Sequence, residues 1–338
     1  MQLFTSASFQ KSWCVRCAQS IGMAVLSMLM PGLLNAAQAQ SFPQRPVRMI
    51  VPFAPGGPGD VIGRTLSDKL APLWGQSVVV DNKPGAGGNL GSDLTAKAPA
   101  DGYTILLAAN SHVTNGALYD KLPYDPIRDF TPISMVAYYA LVLVTNLDLP
   151  VRNLRELVDY ARANPGKLSF GSAGTGTPTH LAAELFRGVA GIDLVHVPYK
   201  GAAPATTDLL GGQLQGMFNN PVSALPQVKA GKVRAIATTG LQRSLTTPDV
   251  PTVAESGYLG FEAGTWFAML GPAGIPRDVV GRLSADLVRV LNLPEVRQRM
   301  AAQGVEAVPG TPEQLGATMR ADLEKWTRVI RAGNIRPD

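Results

Sequence analysis

Short apolar runs alternate along this chain with segments whose apolar residues recur every four positions, the pattern of strands followed by helices. The run Val47–Val51 leads into Phe53-Ala54-Pro55-Gly56-Gly57-Pro58-Gly59-Asp60, after which Ile62, Leu66 and Leu70 share one predicted helix face. About 120 residues later the device returns. A strand over 167–170 enters Gly171-Ser172-Ala173-Gly174-Thr175-Gly176-Thr177-Pro178-Thr179, and the helix behind it carries Leu181, Leu185 and Val189 at the same spacing. Further strands are predicted over 77–80, 103–108, 139–145 (one continuous apolar run), 194–198, 214–218 and Arg234–Thr238. Helices are predicted over Asn89–Ala96, Leu154–Ala163 and 204–210, with two amphipathic ones over 277–293 and 311–332. Strand–helix alternation of this kind indicates an α/β fold with a mostly parallel sheet, and the repeated device indicates two similar lobes.

The length of 338 residues is consistent with two domains, and 46% apolar against 16% charged residues is enough for packed cores. Lys and Arg number 30 against 25 Asp and Glu, for a formal charge of +5, but no block of five basic residues forms. A nucleic-acid surface is therefore disfavoured, and no nucleic-acid partner is expected. No uninterrupted apolar stretch of spanning length occurs either.

The two glycine-rich turns are the candidate chemistry. The first N–H groups of a helix have no intrahelical partner and carry partial positive charge, and a glycine entrance lets an anion reach them. Two such termini facing each other would hold a short organic dianion. Neither turn contains Lys or Arg, and Ser172, Thr175, Thr177 and Thr179 supply neutral hydroxyls, so a carboxylate suits them better than a phosphate. Asp60 would repel an anion unless it turns back to cap its own helix.

Enzymatic signatures fail in turn. The phosphate-loop motif is absent, Gly57-Pro58-Gly59 runs on to Ile62 where a dinucleotide fingerprint needs glycine, and 171–174 is not a nucleophile elbow. The three histidines, His112, His180 and His196, show no metal spacing, so neither a metal nor a cofactor is expected. His180, in the first turn of its helix, is placed to orient a carboxylate or a water. The competing reading is a secreted serine hydrolase built on Ser172, His180 and Asp208, and His196 is read as structural.

Residues 1–39 hold Lys11 and Arg16 but no acid, then an apolar run from Ile21 to Leu34 broken by Pro31-Gly32, then Ala37-Gln38-Ala39. This is the pattern of a signal peptide cleaved near Ala39, which implies export to a bacterial periplasm. Cys14 and Cys17 both fall inside it, so their spacing carries no redox or zinc meaning and the remaining chain has no thiol.

Six motifs in order give a more specific reading: Val51-Pro-Phe-Ala-Pro-Gly-Gly57, Asp81-Asn-Lys-Pro-Gly-Ala-Gly-Gly88, Asp101-Gly-Tyr-Thr104, Val197-Pro-Tyr-Lys-Gly201, Asp208-Leu-Leu-Gly-Gly212 and Asp249-Val-Pro-Thr-Val-Ala-Glu-Ser-Gly257. Together they resemble the substrate-binding proteins of tripartite tricarboxylate transporters, the Bug family of periplasmic solute receptors. The resemblance implies a type II periplasmic binding fold of two Rossmann-like lobes, with mostly parallel sheets and a hinge of two crossovers. One lobe would comprise 40–143 plus 250–338 and the other 144–249. It implies a non-enzymatic receptor that delivers a di- or tricarboxylate, or a related organic acid, to membrane permease subunits and works as a monomer; a ligand sensor for a membrane signalling partner is the other alternative. By position it nominates Phe53, Ala54 and Gly57, then Asn110 and Ser111, then Ser172, Gly174, Thr175, Thr177 and His180, with Asp208 near the cleft. Tyr199 and Lys200 would lie at the rim, and Asn110, His112, Asn219 and Asn220 would form the distal wall that sets specificity.

Overall fold

The computed structural model describes residues 42–244 and 247–337. The segment read as a signal peptide, with Cys14 and Cys17, lies outside the described residues. From Arg45 onward the chain builds two mixed sheets. The first contains β1 (Val47–Val51), β2 (Val78–Asn82), β3 (Thr104–Ala109), β4 (Phe130–Tyr139), β10 (Thr265–Pro272) and β11 (Glu306–Ala307), in the order β11-β4-β10-β3-β1-β2. The second contains β5 (Val142–Thr145), β6 (Ser169–Ser172), β7 (Val195–Pro198), β8 (Gly216–Asn219) and β9 (Arg234–Thr238), in the order β7-β6-β8-β5-β9.

These orders are the same arrangement used twice. In each sheet the second, first and third strands of a half run parallel. A strand from elsewhere in the chain, β10 or β5, then inserts antiparallel before the fourth. Parallel pairing thus occupies one half of each sheet, and the inserted strands make the other half antiparallel. Helices α1 (Pro58–Trp74), α2 (Asn89–Ala96) and α3 (Ser111–Leu118) follow the first three strands of one sheet. Helices α5 (Pro178–Ala190), α6 (Ala202–Leu210) and α7 (Pro221–Lys229) follow those of the other, with α4 (Leu154–Ala163) between β5 and β6. Helices α8 (Arg277–Leu291), α9 (Pro294–Ala301) and α10 (Pro312–Ala332) close the chain.

The cores follow the predicted faces in most places. Ile62, Leu66 and Leu70 of α1 are fully buried, and each such side chain contributes about 1.5–3 kcal/mol by leaving water. In α5 the buried stripe is instead Leu181, Ala182, Phe186 and Ala190, while Val189 is half exposed. The i+4 spacing was right for one residue and drifted off the face, because 3.6 residues per turn requires an alternation of three and four.

The run 139–145 is not one strand. Tyr139 ends β4 in the first sheet and Val142 begins β5 in the second, so the apolar run is a crossover between sheets. Its partner crossover links β9 to β10, and Thr239 ties the two together. Thr239 N–H donates to the Leu141 carbonyl at 2.9 Å, and its hydroxyl accepts from Leu141 N–H at 2.8 Å. That hydroxyl also donates to the Ala263 carbonyl at 3.1 Å. Among the described residues no helix is long and apolar enough to cross a membrane.

Candidate functional site

β1 and β3 are neighbours at the point where the strand order reverses, as are β6 and β8, and crevices in α/β sheets open at such points. A cavity of about 630 Å³, within the range of small-molecule sites, is lined by the segments that follow β1 and β8. On one side it is lined by Phe53, Ala54, Pro55, Gly57, Pro58 and Gly59 of the β1–α1 turn, with Phe267 of β10 and Tyr139 at the crossover. On the other it is lined by Asn220, Pro221, Val222 and Ser223 at the start of α7, with Gln303, Gly304 and Val305 before β11.

The β1–α1 turn is held open by its own residues. Asp60 turns back, as its repulsion for anions requires, but it accepts from the Gly56 amide at 2.9 Å rather than from the helix. It also binds Arg64 Nε at 3.0 Å and Asn82 Nδ2 at 3.0 Å, and Asn82 donates in addition to the Phe53 carbonyl at 3.1 Å. The Arg64 guanidinium, aided by the Gly56 and Asn82 amides, holds the Asp60 carboxyl below the usual range against the opposing effect of burial. The carboxylate, in the first turn of α1, is thus paired with Arg64 and the Gly56 amide. Gly57 is the N-cap of α1 and makes no side-chain cap, and Pro58 at the first helical position has no N–H to satisfy. The amides that follow form an open, partly positive end. Gly59 matters for packing: a Cβ there would collide with the Phe53 ring, which stands edge-to-face with Phe267 at 5.9 Å and 81°.

The β6–α5 turn bonds many of its own groups, although Thr177, the N-cap of α5, makes no side-chain cap. Ser172 Oγ lies 2.7 Å from His196 Nε2 and accepts from Gly174 N–H at 3.2 Å. Thr177 Oγ1 donates to the Gly174 carbonyl at 2.7 Å, so at 2.9 Å from it Thr179 is the donor, while Thr179 accepts from Ala173 N–H. The Gly176 amide donates to His180 Nδ1 at 3.0 Å, which leaves the His180 proton on Nε2, toward Glu184. His180 stacks on His196 with ring centroids 3.6 Å apart. Gly176 sits at φ +74°, and a Cβ there would strike Leu118 of α3 in the first half. Its lack of a side chain seats the turn against a neighbour.

Of the residues nominated from the sequence, Phe53, Ala54, Gly57 and the distal-wall residue Asn220 line the cavity. Asn110, Ser111, Ser172, Gly174, Thr175, Thr177, His180 and Asp208 lie outside its lining. Asn110 is buried at the end of β3, its N–H on the Trp266 carbonyl and its Oδ1 without a hydrogen bond. Ser111 begins α3 half-buried. Asp208 accepts from the Tyr199 hydroxyl at 2.6 Å, which pushes the Tyr199 phenol up to about 12. Lys200 is exposed.

Three expectations are corrected. His112 does not face the cleft. It is buried between Ser92 and the Pro126 carbonyl, both at 3.0 Å, stacks on Tyr124 and meets Phe130 edge-on. Since a carbonyl only accepts, His112 Nε2 carries the proton and Nδ1 accepts from Ser92, so both nitrogens are satisfied by the neutral ring. Asn219, the neighbour of Asn220, is likewise turned away, onto Thr206 at 3.0 Å. The hydrolase arrangement is not assembled either: the imidazole against Ser172 is that of His196, and Asp208 binds Tyr199.

Tyr139, Phe267, Val222, Ser223 and the 303–305 loop escaped the sequence reading. The glycine signal picked out the β6–α5 turn, whereas the second wall begins Asn220-Pro221, a cap followed by proline at the first helical position with no glycine. That helix-start signature was there to be read. Nothing in the sequence marks 303–305 as lying beside α7.

A family model described as "Tripartite tricarboxylate transporter family receptor" matches residues 62–335. The protein BugT of Bordetella pertussis is 39% identical over 89% of this chain and 93% of its own length. Among solved structures, R. palustris Rpa4515 with adipate aligns with a TM-score of 0.74 at 34% identity, over 88% of this chain and all of that one. MatC (Rpa3494) from Rhodopseudomonas palustris with bound malate aligns with a TM-score of 0.70 at 32% identity, over 86% of this chain and all of that one.

Proposed function

Since the chain belongs to the tripartite tricarboxylate transporter receptor family and is a solute-binding receptor of that kind, we propose that it captures a small organic carboxylate in the 630 Å³ cavity. In this reading it then presents the acid to the membrane subunits of such a transporter. The observation that carries the proposal is the uncapped start of α1 opening on that cavity, with its one nearby acid, Asp60, already neutralised. Adipate and malate in the related structures fit the same chemistry.

A ligand carboxylate would accept from the first amides of α1 beyond Gly57, and the Ala54–Gly57 backbone would line its approach. Hydrogen bonds between neutral donors and a charged acceptor contribute about 1.5–3 kcal/mol each. The Ser223 hydroxyl, the Asn220 amide and bridging waters would complete the polar contacts, and rearranging waters adapts such a site at low cost. The crossovers tied by Thr239 would act as the hinge between a lobe of 40–143 plus 250–338 and a lobe of 144–249. The protein would act as a monomer in the periplasm after cleavage near Ala39, as a binder and not an enzyme.

Calorimetric titration of the purified protein with a panel of mono-, di- and tricarboxylates tests this. Saturable binding of at least one acid without turnover is expected. Binding of neutral solutes only would refute the proposal.

A further inference from the structure

One wall of the cavity is set by a side chain that is missing. Gly59, the second residue of α1, is buried, and its φ lies outside the left-handed region, so the backbone itself would accept any residue. A Cβ there would nevertheless overlap the Phe53 ring, whose Cε2 and Cγ stand 3.0 and 3.2 Å from its position. Gly59 and Phe53 both line the cavity. Neither backbone is free to give way. The Phe53 carbonyl is held by Asn82 Nδ2 at 3.1 Å, and the start of α1 is held by Asp60 on the Gly56 amide and Arg64. A side chain at 59 would thus turn the Phe53 ring rather than move the chain.

The other walls do not retreat to make room. Phe267, edge-to-face with Phe53 at 5.9 Å, belongs to β10, which is paired on both sides within the first sheet. Across the cavity, a Cβ on Gly304 would stand only 3.0 Å from Val222 Cγ2 and 3.3 Å from Pro221 Cβ, so the 303–305 turn already rests on α7. The space left for a displaced ring is the cavity itself. Resting on the reading of this cavity as the carboxylate site, we propose that Gly59 is a size-determining residue. By letting the Phe53 ring lie back over the start of α1, it fixes how long a ligand the cavity accepts. Gly59 acts through Phe53 and is a positioning residue.

Gly59→Ala tests this in two ways. The first needs no ligand: in a crystal structure of the variant, the Phe53 ring is expected to have moved into the cavity. A ring that stays in place or swings out to solvent would overturn the proposal. The second is calorimetric titration of wild type and variant with straight-chain dicarboxylates from succinate to suberate and monocarboxylates from butanoate to octanoate. In whichever series binds, the variant is expected to lose roughly tenfold in affinity for the longest acid relative to the shortest, the effect of about one methylene in a filled pocket. A general loss of stability would weaken both alike, and a ratio unchanged within about twofold would overturn the size role while leaving the carboxylate reading intact. Adding Phe53→Leu to Gly59→Ala should restore the ratio, and a ratio still shifted would remove Phe53 from the account. If neither series binds wild type, the carboxylate reading falls and the position of the ring in the variant decides whether Gly59 sets the cavity.

Discussion

The β1–α1 and β6–α5 turns hold the same position in two sheets of the same strand order, and both are rich in glycine. They use their polar side chains differently. In the first, Asp60 ties down Gly56 from behind and the helix end behind Gly57 stays open to the cavity. In the second, Thr177 and Thr179 bond to each other and, with Ser172 and His180, to the turn's own backbone, Gly176 packs on Leu118, and the start of α5 is likewise without a side-chain cap. Local composition makes a turn able to bind an anion; whether it is free to do so depends on what its own side chains reach. The histidines differ in the same way, His112 being satisfied inside a core while His180 and His196 stack at a turn.

Gly57→Val should break this contrast most strongly. Gly57 has φ −79°, and a Cβ there would meet only the Ala54 carbonyl at 3.6 Å, so the fold tolerates the change while the branched side chain obstructs the open amides. We expect carboxylate affinity to fall about a hundredfold, roughly 2.7 kcal/mol, with the melting temperature nearly unchanged. Gly174→Val is the poorer probe, because φ +133° and the Tyr199 carbonyl at 3.3 Å strain it regardless of ligand.

His112 predicts a pH effect located in the first core. Burial pushes its imidazole down to about 4 from an ordinary 6.5. As pH drops below about 6.5 the unfolded chain takes up this proton first, so stability is complete above that pH and is lost as pH falls toward 4. Urea unfolding should show a loss of about 2 kcal/mol between neutrality and pH 5 from this group. His112→Gln, which can donate to Pro126 and accept from Ser92, should flatten that slope; an unchanged slope would remove His112 from the account.

Thr177→Val sharpens the difference between the turns. The hydroxyl holds the Gly174 carbonyl and accepts from Thr179, so stability should fall by about 1 kcal/mol. Carboxylate affinity should stay within about threefold, since Thr177 does not line the cavity. An affinity loss of about 1–3 kcal/mol would instead place its hydroxyl on the ligand. Tyr199→Phe, which removes the bond to Asp208, should have the smallest effect, about 0.5–1 kcal/mol of stability with no change in binding.

The sequence by itself determined the alternation of strands and helices and the duplicated device, and it singled out the β1–α1 turn that lines the cavity, because periodicity and glycine placement act over a few residues. Helices α3 and α7 and strands β4 and β10 were not picked out by it, and 139–145 read as one strand, since an apolar run looks the same whether it stays in a sheet or crosses to the next. Tertiary structure alone brought the start of α7 to the cavity beside the first turn and buried His112 in a core. It also brought 303–305 against the start of α7, where Gly304 lies beside Pro221 and Val222. These outcomes depend on strand order and on contacts between residues far apart in the chain, which no local pattern encodes.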